Sequence, residues 1–321
     1  MSHRHHEREA AGVRIAITGA SGFCGARVAL AAADRGADVR CLGRRPGPVG
    51  THVRWDATAE LPDLGDADVV VHCAAAVGDH LPGSPAEAEQ FAVNVDGTAR
   101  LLEAAAGRPV VWVSSASVYD PRRDRSSVTE EHPTSGGHLN AYGRSKAAGE
   151  RLALAAGAVV LRPRAVYGPG DPHLLPRLLA RVRPGGVLAL PGPDVGLSLT
   201  SVHNLAAACL DAAGWPAGAY NIADAVPYRR DAALRRVLAA HGVRARILHL
   251  PLPLTGLARL ARSRTSTPYA IDQLARSVVL DTAKARALGW RPVHDLDGFC
   301  RDSAERPHTG GVRALGERES G

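Results

Sequence analysis

The sequence predicts an α/β protein built on a doubly wound parallel sheet, with a smaller C-terminal lobe. Three observations lead there. Short β-branched apolar runs alternate with alanine-rich helical stretches. A glycine cluster falls directly after the first apolar run. The length, 321 residues, suits one such sheet plus an added lobe. Alternation is the informative signal, because parallel neighbours need a crossover connection and a helix usually supplies it.

Met1 to Gly12 is a polar tail rich in His and Arg, expected to be disordered and lacking the apolar core of a secretion signal. Val13-Arg14-Ile15-Ala16-Ile17 is the first strand, and Ala26 to Arg35 the first helix. Val39 to Leu42 is the second strand, and Ala67 to His72, around Val69-Val70-Val71, the third. Val93 to Ala106 reads as a helix and Val110 to Ser114 as a strand. Asp120 to His138 is a long polar loop of the kind that often carries function. Tyr142 to Ala156, rich in Ala, Leu and Glu, is a helix, and Val159-Val160-Leu161 a strand. The expected sheet domain is 13–168 with 199–223, the lobe 169–198 with 224–305, and 306–321 a solvated tail.

Composition excludes several classes. Hydrophobic residues at 45% and charged residues at 22% mark a globular chain. No apolar run reaches the roughly 18 residues of a membrane span. The five cysteines, Cys24, Cys41, Cys73, Cys209 and Cys300, are odd in number and form no CxxC pair. Reduced thiols and a cytoplasmic location follow, with neither a disulfide framework nor a zinc site. His3, His5 and His6 read as part of the frayed tail, so no metal is expected. The net charge of +7 does not indicate nucleic acid, because the arginines are spread along the chain with no basic, aromatic-interleaved stretch.

The first chemical motif is Thr18-Gly19-Ala20-Ser21-Gly22-Phe23-Cys24-Gly25. Gly19 permits a tight turn off the strand, Gly22 lets backbone approach a pyrophosphate, and Gly25 lets the helix pack close. The helix N-terminus then faces the negative charge. The second is Tyr142-Gly143-Arg144-Ser145-Lys146. Positions i and i+4 share a helix face, so phenol and ammonium project together. Of 39 Lys and Arg residues only Lys146 and Lys284 are lysines. Chance predicts only about 0.04 Tyr–Lys pairs at this spacing. Retention of a compact ammonium amid so many arginines points to chemistry that needs it.

With these motifs in place, the chain resembles the extended branch of the short-chain dehydrogenase/reductases, the NAD(P)-dependent epimerase/dehydratase family, over about Val13 to Ala304. Asp68-Val69-Val70-Val71-His72-Cys73-Ala74-Ala75, Asn94-Val95-Asp96-Gly97-Thr98, Ser114-Ser115-Ala116-Ser117-Val118-Tyr119 and Leu161-Arg162-Pro163-Arg164-Ala165-Val166-Tyr167-Gly168-Pro169-Gly170 resemble further family segments. The resemblance implies a Rossmann-type sheet with a substrate-binding lobe, and a homodimer built through the helices starting near Asn94 and Tyr142. It implies Ser115, Tyr142 and Lys146 as catalytic residues. Cofactor contacts are implied at Gly19, Ser21, Gly22, Phe23, Cys24, Gly25, Arg44, Asp56, Ala57, Ala74, Ala75, Ala76, Tyr142, Lys146, Pro163 and Val166. Tyr142 exchanges a proton with a substrate hydroxyl or carbonyl, and Ser115 positions that oxygen. A free tyrosine has a pKa of about 10. Lys146 and a positive nicotinamide ring are expected to lower it, and Lys146 to hold the ribose.

Cofactor choice is read at the end of the second strand. Leu42-Gly43-Arg44-Arg45 stands where an acid would bind the ribose hydroxyls of NAD. Arginine pairs with a 2′-phosphate, so NADP is expected, with NAD the alternative.

Ala116 and Ser117 stand where sugar-nucleotide dehydratases carry Asp-Glu, and Leu197 where many epimerases carry a diphosphate-gripping Arg. Arg177 or Arg259 are the candidates to compensate. The segments around Leu197–Ala206, Tyr167–Leu178, Thr267–Tyr269 and Leu288–Pro292 look more like the 3β-hydroxysteroid dehydrogenase-like and 2-alkyl-3-oxoalkanoate reductase-like branch. That implies hydride transfer between a nicotinamide cofactor and a secondary alcohol or ketone on a small, less polar substrate. A sugar-nucleotide epimerase with tightly bound NAD and a non-catalytic NADP-sensing protein are the alternatives. The Asp120–His138 loop is expected to border the substrate; His173 and His203 line its pocket or are structural.

Overall fold

A computed structural model describes residues 12–172, 174–179, 181–183, 185–251 and 267–305. In chain order the sheet-forming half runs β1 (Arg14–Thr18), α1 (Phe23–Asp34), β2 (Asp38–Gly43), β3 (Thr51–Arg54), β4 (Val69–His72), α2 (Pro85–Phe91), α3 (Gly97–Ala105), β5 (Val110–Val113), α4 (Ala141–Ala155) and β6 (Val159–Pro163). A π-helical turn, Ala92–Asp96, joins α2 to α3. There follow β7 (Val166–Tyr167), α5 (Leu174–Leu179), β8 (Val182–Arg183), β9 (Val187–Pro191), β10 (Gly196–Leu197), β11 (Thr200–Ser201) and α6 (Val202–Asp211). The chain continues through β12 (Gly218–Ile222), β13 (Tyr228–Arg229), α7 (Arg230–Ala240), β14 (Arg246–Leu250), α8 (Pro268–Ala275), α9 (Ala283–Ala287) and α10 (Leu296–Glu305).

Seven strands form one sheet in the order β12-β6-β5-β4-β1-β2-β3. Every pairing in it is parallel. Chain progression reverses between β1 and β4, and the crevice beyond their carboxyl ends is where open α/β sheets bind ligands. Strand residues alternate between two apolar layers. Ile15, Ile17, Val71, Val111 and Leu161 pack with α1 and α6 residues such as Val28 and Leu205. Ala16, Val70, Trp112 and Val160 pack on the other face with Leu101 and Ala153. Both faces are buried, as a parallel sheet requires.

The remaining strands form small sheets, the largest ordered β14-β9-β8. Leu188, Leu190, Leu199, Leu234, Leu238 and Leu296 make a separate apolar cluster there. Two features depart from the sequence reading. Thr51–Arg54 is an edge strand, β3, in a stretch to which the sequence assigns no element. Its residues are mostly exposed, so no apolar alternation marks it. The predicted Val93–Ala106 helix is interrupted at its start by the π-helical turn, which carries Asn94. Among the described residues no helix is long and apolar enough to cross a membrane.

Candidate active site

The glycine loop builds a phosphate cradle. Gly19 sits at φ +68°, a conformation that disfavours side chains, and a Cβ there would lie 2.7 Å from the Ala74 backbone. A Cβ on Gly25 would lie 2.4 Å from the Gly19 carbonyl, so the start of α1 can approach the turn only without a side chain. Gly22 caps α1 with no side-chain acceptor, and its first turn contains no acid. The uncapped N–H groups and the positive end of the helix therefore suit an anion in the crevice. Phe23 and Cys24 open this helix, and Ser21 is exposed beside it. These features fit a dinucleotide pyrophosphate.

The walls of the crevice are set by hydrogen bonds. Asp56 accepts from the Thr58 amide at 2.9 Å and its hydroxyl at 2.7 Å, and these bonds hold its pKa below the usual carboxylate value, aided by Arg44 and Arg54. Arg44 is exposed immediately after β2. The Ala57 carbonyl accepts from Arg100 at 2.9 Å. After β4, the Ala74 amide donates to Thr18 Oγ1 at 3.2 Å. Asn94 clasps Ala76 from both sides, accepting from its amide at 2.8 Å and donating to its carbonyl at 3.0 Å. The same Asn94 amide group donates to Ser145 Oγ at 2.9 Å, tying the Ala74–Ala76 wall to α4. Pro163 ends β6 and Val166 opens β7, on the same carboxyl side of the sheet.

Ser115, Tyr142 and Lys146 converge beside this crevice. Asn140 caps α4, accepting from the Gly143 amide at 2.8 Å, which orients the first turn bearing Tyr142. Ser115 follows β5 and lies within hydrogen-bonding reach of the Tyr142 phenol. Its hydroxyl also accepts from Ser117 Oγ at 2.8 Å and from the Ser117 amide at 3.2 Å. Lys146 donates to the Val113 carbonyl at 2.6 Å, and its Nζ lies 3.6 Å from the centroid of the Trp112 ring. Burial pushes the Tyr142 phenol well above its ordinary value, against the opposing hydrogen bond from Ser115. Burial brings Lys146 down to about 7, opposed mainly by Glu150.

Several contributors escaped the sequence reading. Glu150, one turn beyond Lys146, forms a buried ion pair with Arg162 at 2.5 Å and accepts from Ser114 Oγ at 2.5 Å. Arg162 also donates to Tyr119 OH at 3.0 Å and the Glu130 carbonyl at 2.9 Å. The Asp120–His138 loop reaches the lobe through a buried pair, Arg125–Asp272 at 2.6 Å, that fastens α8. Thr267, the cap of α8, bonds Asp79, whose other oxygen lies 3.5 Å from Asn140 Nδ2. Tyr269 on α8 is an electrostatic neighbour of Tyr142 and Arg164, so this helix faces the candidate site. An acid four residues after the lysine was the one available signal for Glu150; the others depend on tertiary contact alone. Leu197 is buried in β10, and His203 pairs with His294 at a ring separation of 4.8 Å. His173, Arg259 and the side chain of Arg177 lie outside the described residues. Among the described residues no cluster of His, Cys, Asp or Glu is placed to hold a metal.

A glycine cradle at the switch point of a parallel sheet, with a Tyr–Lys helix beside it, defines a dinucleotide-binding α/β protein. The chain belongs to the NAD dependent epimerase/dehydratase family, which it matches over residues 15–223. It is 31% identical to a 3 beta-hydroxysteroid dehydrogenase/Delta 5-->4-isomerase of Mycobacterium tuberculosis, covering 87% of this chain and 86% of the relative. It is 29% identical to a 4-hydroxy-2-methyl-3-oxo-4-farnesyl-3,4-dihydroquinoline-1-oxide ketoreductase of Stigmatella aurantiaca, covering 85% and 90%. Among solved structures it is similar to MoeE5 in complex with UDP-glucose and NAD, at 26% identity and a TM-score of 0.72, covering 92% of this chain and 98% of that one.

Proposed function

We propose that this chain is an NAD(P)-dependent oxidoreductase that reduces a ketone to a secondary alcohol, with NADP(H) preferred. The observation that carries the reading is the convergence of Ser115, Tyr142 and Lys146 beside the cradle at the carboxyl ends of β1, β4 and β5. The bound cofactor supplies the hydride. Ser115 holds the carbonyl oxygen of the substrate, and Tyr142 donates a proton to that oxygen as negative charge develops. A tyrosine phenol is protonated at neutral pH, so Tyr142 carries the proton that the reductive direction needs. Lys146 contributes a cation beside the cofactor ribose and the phenol. Exposed Arg44, at the end of β2, is the group that recognises a 2′-phosphate.

Relatives named as dehydrogenases and ketoreductases support the reaction class. Buried Leu197, in place of a diphosphate-gripping arginine, supports a less polar substrate. A homodimer through α3 and α4 is part of the proposal. The likeness to a UDP-sugar-binding structure favours a second reading, an epimerase that retains NAD. The test is oxidation of NADPH, followed by its absorbance, across a panel of apolar and 3-oxo ketones with wild type and Tyr142→Phe. Turnover lost only in the variant is expected. A pre-bound NAD released on denaturation, with no net NADPH oxidation, would select the epimerase.

A further inference from the structure

The placement of Lys146 has an unusual partner. Trp112 is fully buried on β5, and the Lys146 ammonium stands 3.6 Å from its ring centroid. The ring is held face-on. Its Nε1 donates to Thr98 Oγ1 at 3.1 Å, which fixes its rotation. Gly149, three residues beyond Lys146 on α4, makes room for it: a Cβ there would lie 3.1 Å from Trp112 Cζ2 and 2.2 Å from the Asn94 carbonyl. His72 stacks on Trp112, with centroids 6.3 Å apart and planes 22° apart.

An ammonium over an aromatic face is attracted by the ring quadrupole, most strongly where water is excluded. Lys146 needs such help. Burial works against its charge, and Glu150, the nearest acid on α4, is already committed to Arg162 and Ser114. Cys24 on α1, Cys73 after β4 and His72 on β4 also lie close enough to act on its charge. His72 supplies no competing charge, because burial holds its pKa down at about 3.

We propose that Trp112 is a positioning residue for Lys146: its indole face keeps the buried ammonium charged and holds it, with the Val113 carbonyl, at the edge of the cofactor crevice. The functional consequence rests on the proposed role of Lys146; the ring–ammonium interaction stands on geometry alone.

The two-lysine composition makes the test direct. Protein labelled with 13C at lysine Cε gives two side-chain signals, and Lys284→Arg assigns them. In the wild type, ring current is expected to displace the Lys146 methylene protons upfield of free lysine. In Trp112→Leu that displacement disappears, and the Lys146 titration midpoint falls by about one pH unit. Trp112→Phe, which keeps a face but loses the indole, shifts the midpoint in the same direction by less than half as much. If Trp112→Leu does not fold, the wild type and Trp112→Phe decide the matter. Absent ring-current displacement, or coincident midpoints, overturns the proposal. Lys146→Met with cofactor affinity intact would instead remove Lys146 from the site and leave the ring–ammonium interaction standing.

Discussion

Replacing Glu150 by Gln tests the buried charge beneath the candidate site. Glu150 and Arg162 are exposed by only 2% and 4%. The carboxylate takes bonds from Arg162 Nε at 3.1 and 3.2 Å, from its terminal nitrogen at 2.5 Å and from Ser114 Oγ at 2.5 Å. Glutamine offers one accepting oxygen and turns an NH2 towards donors. A guanidinium is left buried without an anion, a loss of about 3–5 kcal/mol. At about 2 °C per kcal/mol for a chain of this size, Tm falls by roughly 6–10 °C. Thermal unfolding followed by circular dichroism measures it. Arg162→Met is expected to be comparably harmful, because it strands the carboxylate. Glu150→Gln/Arg162→Met should cost clearly less than the two singles together, since no unpaired charge remains. A Tm within about 2 °C of wild type for Glu150→Gln, or strict additivity in the double variant, would refute the reasoning.

Other consequences can be checked separately. Gly19→Ala places a side chain at φ +68° and against the Ala74 backbone, so nicotinamide-dinucleotide affinity should fall at least about tenfold in calorimetry, with the sheet still folded. Tyr142→Phe should lower turnover by about 10²–10⁴ while cofactor affinity stays near wild type. Arg44→Ala should weaken NADPH by about five- to tenfold and leave NADH unchanged, as competition binding would reveal. Burial holds the His72 pKa down at about 3 in the folded chain against about 6.5 when unfolded, so between those values the unfolded chain binds more protons and stability is lost as the pH is lowered. The slope attributable to this residue is about 1.4 kcal/mol per pH unit, and urea unfolding of His72→Phe should show a shallower pH dependence.

What was legible in the sequence had local causes. The run Arg14–Thr18, the glycines after it and the Tyr142–Lys146 spacing each carry their own geometry, because a strand, a tight turn and one helix face are short-range structures. Thr51–Arg54 was missed because an exposed edge strand has no buried face to impose a pattern. The π-helical turn at Asn94 was missed because helical periodicity is blind to one extra residue per turn. The partners that shape the site were hidden for another reason. Trp112 is 34 positions from Lys146, Asn94 is 51 from Ser145, and Asp79 is 188 from Thr267. No local pattern encodes such pairs. The Val113 carbonyl and the Trp112 indole that hold the Lys146 ammonium were hidden in the same way, because a shared helix face says nothing of what the neighbouring strand presents.

The central claim is that the crevice between β1 and β4 binds a nicotinamide dinucleotide that exchanges freely. Calorimetric titration of verified cofactor-free protein with NADPH and NADH, each in turn, tests it most directly. The account predicts saturable binding of both, tighter for NADPH, and loss of the preference on Arg44→Ala. Tighter NADH binding would overturn the cofactor assignment, and no binding of either would contradict the oxidoreductase reading itself.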